Sequence, residues 1–210
     1  MLRLTSLLAL ALVVSGIALL APSPRAAAQD ADAAPHTATF EDQWFYYGDR
    51  PERFREIKPR LQRLVGKEAP EFTVQRWVGD EYTMKDMRGE IVVLDFWGTW
   101  CPPCLRAIPH LNQLSETYDD QGVTVLGICD DTRKAERLSS TIKQYDMRYP
   151  TALDKNKGSF SAYNGQWYPF IVLVDRKGII RAAGLTPKGL DKALEELLKE
   201  QPAPKPSEAS

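Results

Sequence analysis

The sequence predicts an α/β domain of about 135 residues beginning at Gly66, and three observations carry that reading. Stretches with strand and helix patterns alternate from Gly66 to Lys199. Ile91 to Trp97 is a nearly continuous apolar run, the pattern of a strand buried on both faces. Pro169 to Val174 and Ile179 to Ala183, joined by Asp175-Arg176-Lys177-Gly178, have the composition of a β-hairpin.

In chain order, Phe72 to Trp77 and Glu81 to Thr83 flank a turn at Gly79-Asp80 and are expected to form an N-terminal hairpin. After the strand Ile91 to Trp97, the spacing predicts a helix from Pro102 to Tyr118, closed with its loop at Gly122. Val123 to Cys129 reads as a second central strand, and Arg133 to Tyr145 as a polar helix. The last helix is expected from Lys188 to Lys199, with Leu190, Ala193, Leu194, Leu197 and Leu198 turned inward. There is no internal repeat.

The flanks divide the chain further. Residues 1–28 have Arg3, an apolar run from Leu7 to Leu20 and Ala26-Ala27-Ala28 before Gln29, the plan of a secretory signal peptide cleaved after Ala28. The competing reading is an uncleaved membrane anchor, because apolar character extends from Leu4 to Ala21. Either one places the remainder in the periplasm or otherwise outside the cytoplasm. Residues 29–65 form an expected, partly ordered extension, rich in Phe40, Trp44, Phe45, Tyr46 and Tyr47. Within it Phe54, Ile57, Leu61 and Leu64 recur at helical spacing, interrupted by Pro59. It is read as packing on the domain's own surface, with a partner-binding segment as the alternative. Residues 66–200 are the domain, and 201–210, with alternating prolines, a disordered tail.

Composition excludes other classes. With 43% apolar and 26% charged residues the chain is neither fibrous nor wholly disordered. Its 27 basic and 28 acidic residues balance to −1, which gives no electrostatic case for nucleic acid. Three cysteines are too few for a disulfide scaffold or a four-cysteine zinc site.

The chemistry is concentrated in Trp100-Cys101-Pro102-Pro103-Cys104. Two cysteines three apart, where a buried strand gives way to a helix, can close a small disulfide ring without moving the rest of the chain. A helix starting at Pro102 puts Cys101 at its N-cap, where the macrodipole and unpaired N–H groups favour thiolate. Cys101 is therefore the expected nucleophile and the more exposed sulfur, and Cys104 the resolving thiol one turn in. Neither Pro102 nor Pro103 has an N–H to offer the thiolate, which predicts a reductant rather than an oxidant. Asp95 interrupts the buried run, so its pKa should rise, and a carboxyl group of that kind near Cys104 can accept the resolving thiol's proton. The alternative puts Asp95 at a solvated strand edge. Cys129 is read as a small buried apolar side chain, with a regulatory thiol as the alternative. A structural staple, or a copper or zinc site, competes for the cysteine pair. Only His36 and His110 are available as imidazole ligands, and His110 does not fall beside Cys104 on the helix.

At these residues the chain resembles the thioredoxin-fold, exported TlpA/ResA-type thiol–disulfide oxidoreductases, over about Val65 to Lys199. Asp95 sits where thioredoxins keep a buried acid, Pro109 where they kink the active-site helix, and Gly66 to Phe72 resembles the family's opening segment. The resemblance implies a three-layer fold with an N-terminal hairpin, a central mixed sheet and flanking helices. It makes Pro169 the cis-proline that faces the disulfide. Trp100, Pro102, Pro103, Tyr168 and Pro169 become the substrate-binding residues, with Trp97 adding to an apolar rim. Two positions depart from the pattern: Tyr168 is bulkier than the residue usual before that proline, and Ala107 stands where ResA-like members carry an acid. Peroxidase chemistry is disfavoured, since no threonine and proline arrangement precedes a lone peroxidatic cysteine. The expected enzyme reduces protein disulfides through Cys101 and Cys104, with no cofactor beyond that disulfide and no metal. It is recharged by an upstream thiol donor, itself membrane-bound in one form of this reading. A metal or partner binding module without turnover is the reading of another class.

Overall fold

The computed structural model describes residues 51–130 and 136–199. The expectations for residues 1–50, for 201–210 and for the start of the helix at Arg133 lie outside the described residues. No helix among the described residues is long and apolar enough to cross a membrane. The elements are α1 (Pro51–Gln62), β1 (Val74–Val78), β2 (Ile91–Trp97), α2 (Pro102–Tyr118), β3 (Val123–Cys129), α3 (Glu136–Gln144), β4 (Thr151–Asp154), α4 (Gly158–Ala162), β5 (Phe170–Val174), β6 (Ile180–Leu185) and α5 (Pro187–Leu198).

The six strands form one mixed sheet in the order β1-β4-β3-β2-β5-β6. β2 lies in its interior, parallel to β3 and antiparallel to β5, and every one of its residues is buried. That two-sided burial is what its unbroken apolar run anticipates. Alternation along β2 sorts its side chains. Ile91, Val93 and Trp97 join the core under α2, α3 and α5, whereas Val92, Leu94 and Phe96 join the core shared with α1 and Tyr163. Leu190, Ala193, Leu194 and Leu197 of α5 are buried on the first face, and each such leucine contributes about 1.5–3 kcal/mol. The result is a helix–sheet–helix sandwich. Its parallel β2–β3 register sets Trp97 beside Cys129, so both strands end next to the start of α2.

The N-terminal hairpin is not formed. β1 pairs antiparallel with β4, Trp77 opposite Ala152, and Glu81 to Thr83 form no strand. Two side chains explain the difference. Glu71 accepts from the N–H groups of Met84 and Lys85 at 2.9 and 3.1 Å, and Met84 is buried in the core on the α1 side. The segment is thus fastened as a cover over the sheet, and β1 finds its ladder in β4, a strand whose four residues carry little sequence signal.

α1 continues through Pro59 to Gln62, and Ile57, Leu61 and Leu64 are buried with Ile180 and Ala183 of β6; the side chain of Phe54 lies outside those described. Gly184 permits this packing, because it sits at φ +85° and a Cβ there would stand 3.1 Å from Leu61. The β5–β6 hairpin forms as expected. Asp175 Oδ1 accepts from the N–H groups of Lys177 and Ile179, and its Oδ2 pairs with buried Arg181 at 3.2 Å.

Candidate active site

α2 begins at Pro102, and Cys101 is its N-cap in extended conformation. Prolines are tolerated at these two positions because first-turn N–H groups have no intrahelical partner. Cys101 and Cys104 are joined in a disulfide with Cα atoms 5.3 Å apart. The first N–H the helix can offer is that of Cys104, which donates to Cys101 Sγ at 3.3 Å. Cys101 is 4% exposed and Cys104 1%, so the expected order holds by a narrow margin and both residues of the oxidised pair are buried. Pro102 and Pro103 are exposed beside them.

Asp95 is at the middle of β2, buried, and not at a solvated edge. It shares strand parity with Val93 and Trp97, whose core also holds Cys101, Cys104 and Ala107, so its side chain belongs to the α2 side of the sheet. The hydroxyl of Tyr149 donates to Asp95 Oδ2 at 3.2 Å, while Oδ1 is buried without a hydrogen-bond partner. Burial pushes the Asp95 carboxyl up to about 7, with the Tyr149 hydrogen bond opposing the shift. A carboxyl group so placed can take or give a proton near neutral pH. Tyr149 has no sequence signal of its own, since it reaches Asp95 from 54 residues away.

Gly127, opposite Asp95 on β3, keeps this layer open: a Cβ there would lie 2.5 Å from Thr151 Oγ1. Through that gap Trp97 Nε1 donates to Thr151 Oγ1 at 3.1 Å. Trp97 is consequently fully buried and not part of any rim; its inward strand parity overrides the expectation drawn from its aromatic character.

The rim is built by Trp100 and Tyr168. Trp100 is 53% exposed, and its ring meets Tyr168 edge-to-face at 5.3 Å. The Tyr168–Pro169 peptide bond is cis, and Pro169 is buried. Three residues that sequence reasoning missed gather here. Asp130, just after β3, accepts from the Tyr168 hydroxyl and pairs with Lys157, both at 2.9 Å, and Phe160 stacks on Tyr168 at 4.5 Å. Burial first, then the Asp130 carboxylate, holds the Tyr168 hydroxyl well above the usual phenol range, so it remains a donor. His110 points elsewhere, its Nε2 2.9 Å from Asp191 of α5, and Cys129 is buried at the end of β3.

Comparison with known proteins agrees with this geometry. The AhpC/TSA family matches residues 65–183. The chain is 36% identical over 145 residues to the thiol-disulfide oxidoreductase ResA of Bacillus cereus, covering 69% of this chain and 76% of that protein. It is 31% identical over 136 residues to ResA of Geobacillus kaustophilus, covering 63% and 78%. Among solved structures, the thioredoxin domain of a thiol-disulfide oxidoreductase from Bacteroides vulgatus superposes with a TM-score of 0.58 at 27% identity, covering 64% of this chain and 97% of that one. A Cys-Pro-Pro-Cys disulfide capping a helix on a thioredoxin-like sheet, in a chain matched over this length, has one consistent assignment: it belongs to the AhpC/TSA family, as a protein thiol–disulfide oxidoreductase similar to ResA.

Proposed function

We propose that this chain is exported and reduces disulfides in other proteins. The observation that carries the reading is the single N–H, that of Cys104, donated to Cys101 Sγ where Pro102 and Pro103 supply none. A thiolate held by one donor is stabilised less than one held by several, and a less stabilised dithiol form is a stronger reductant. In the forward reaction the Cys101 thiolate attacks one sulfur of the substrate disulfide, and the departing sulfur leaves as a thiolate that takes a proton. Cys104 then yields its proton to Asp95 and attacks Cys101 Sγ, closing the disulfide and releasing the second substrate sulfur. The enzyme loses two electrons and the substrate gains them.

The unpartnered Oδ1 of Asp95, on the side of the sheet that holds Cys104, supports its part as proton acceptor. Trp100, Pro102, Pro103, Tyr168 and Pro169 make the surface on which the substrate chain lies. The Arg3 and Leu7–Leu20 pattern supports release outside the cytoplasm, where a membrane-bound thiol donor returns the enzyme to its dithiol form. An equilibrium titration against glutathione tests the direction: a potential toward about −270 mV is expected, and one near about −120 mV overturns the assignment. Insulin reduction by the wild type and not by Cys101→Ala tests turnover.

A further inference from the structure

Asp130 holds both aromatic walls beside the disulfide at once. Its carboxylate Oδ2 receives the Tyr168 hydroxyl and the Lys157 ammonium, each at 2.9 Å. Its backbone carbonyl accepts from Trp100 Nε1 at 3.1 Å, and its own N–H is fixed on Trp97 O at 2.8 Å. Lys157 Nζ also stands 5.9 Å from the centroid of the Tyr168 ring, within cation–π range. Phe160 stacks on the same ring with planes 17° apart. Lys157 occupies φ +60°, a region that glycine and asparagine enter more readily than lysine. The backbone there is fixed in a form lysine does not favour, and the side chain is spent on Asp130.

The chemistry of the wall follows. Asp130 is buried and its charge is matched by Lys157, so the surface offered next to Cys101 is two perpendicular rings with no net charge. Trp100 is more than half exposed, and a bulky apolar side chain laid against it removes the most apolar area from water. Because the rings are fixed before any substrate arrives, that gain is not offset by ordering them.

We propose that Asp130 is a positioning residue for substrate selection, clamping Tyr168 and Trp100 into a preformed notch that takes a large apolar or aromatic residue next to the attacked cysteine. This rests on the reductase reading above and names the substrate class of the same site.

The test uses pre-reduced protein and two cyclic peptide disulfides, identical except for Phe or Gly beside the reactive cysteine, in single-turnover stopped flow. The wild type reduces the Phe peptide about tenfold more efficiently, the size of one well-fitted apolar contact, and the difference lies in the half-saturating concentration and not in the limiting rate. Tyr168→Phe and Asp130→Ala each lower the ratio several-fold toward one, because each frees the Tyr168 ring, while Trp100 stays held on the Asp130 backbone carbonyl. Their double variant lowers it no further, because both break the same clamp. Asp130→Asn, which keeps an oxygen for the Tyr168 hydroxyl, retains more of the preference than Asp130→Ala. Should Asp130→Ala fail to fold, Tyr168→Phe alone decides.

The inference is overturned if the variants slow both peptides equally, or if the single effects on the ratio simply add. A wild type that reduces both peptides alike sinks the notch and leaves the reductase standing; one that reduces neither sinks both.

Discussion

Replacing Asp95 by asparagine should remove most of the pH dependence of this protein's stability between about pH 4 and 7. In the unfolded chain the carboxyl titrates at its ordinary 3.8, and in the folded protein at about 7, because β2 buries it. Below pH 3.8 the group is protonated in both states and costs nothing. As pH rises the unfolded chain gives up the proton while the folded protein holds it, so stability falls until about pH 7 and then levels off. A gap of about 3 units corresponds to roughly 4 kcal/mol lost across that window.

Asparagine has no proton to release. Its amide oxygen still accepts from Tyr149, but its N–H groups face the place where Oδ1 has no partner, at a cost of about 1–3 kcal/mol at every pH. The variant is therefore the less stable protein below pH 4 and gains on the wild type until about pH 7. The assay is guanidinium unfolding of both oxidised proteins from pH 4 to 8, with Cys101 and Cys104 held in the disulfide so that neither titrates. A stability difference that stays constant across the range refutes the argument, since it would mean that the carboxyl ionises alike in the folded and unfolded chain.

Pro103→Ala restores an N–H in the first turn of α2, at a position from which N-cap side chains are commonly served. One added hydrogen bond to the Cys101 thiolate, about 1.5–3 kcal/mol, raises the reduction potential by roughly 30–60 mV in a glutathione titration. Cys104→Ala leaves mixed disulfides on Cys101 unresolved, so clients exposed to it appear as thiol-sensitive adducts in non-reducing gels, and an absence of adducts counts against Cys101 as the attacking sulfur. Gly127→Ala forces a Cβ to within 2.5 Å of Thr151 Oγ1 and 3.1 Å of Trp97 Nε1; the cost is about 1–3 kcal/mol of stability, read from the denaturant midpoint.

What the amino-acid order determined by itself was local. The run Ile91–Trp97 has enough contiguous apolar surface to require burial on both faces, and it is the strand at those limits. Cys101 with two prolines after it fixes a helix start within a few residues, whatever surrounds it. Asp175 to Gly178 closes a turn through bonds that span four residues at most, and that hairpin is also as read. The buried acid was legible too, because a carboxylate inside an apolar run has to be accounted for.

What only the tertiary structure decided depends on contacts between distant segments. β1 has the composition of a hairpin strand, but its partner is chosen by β4 and by the Glu71 anchor on Met84, not by the neighbouring turn. Trp97 and Trp100 stand three residues apart with the same side chain; strand parity buries the first, and the loop into α2 exposes the second. Tyr149 meets Asp95, Asp130 meets Tyr168, and Lys157 meets Asp130 across gaps of 54, 38 and 27 residues. No periodicity links residues so far apart. Their meeting is set by the order in which strands pair, which follows from the burial of whole faces and not from any one segment's preference.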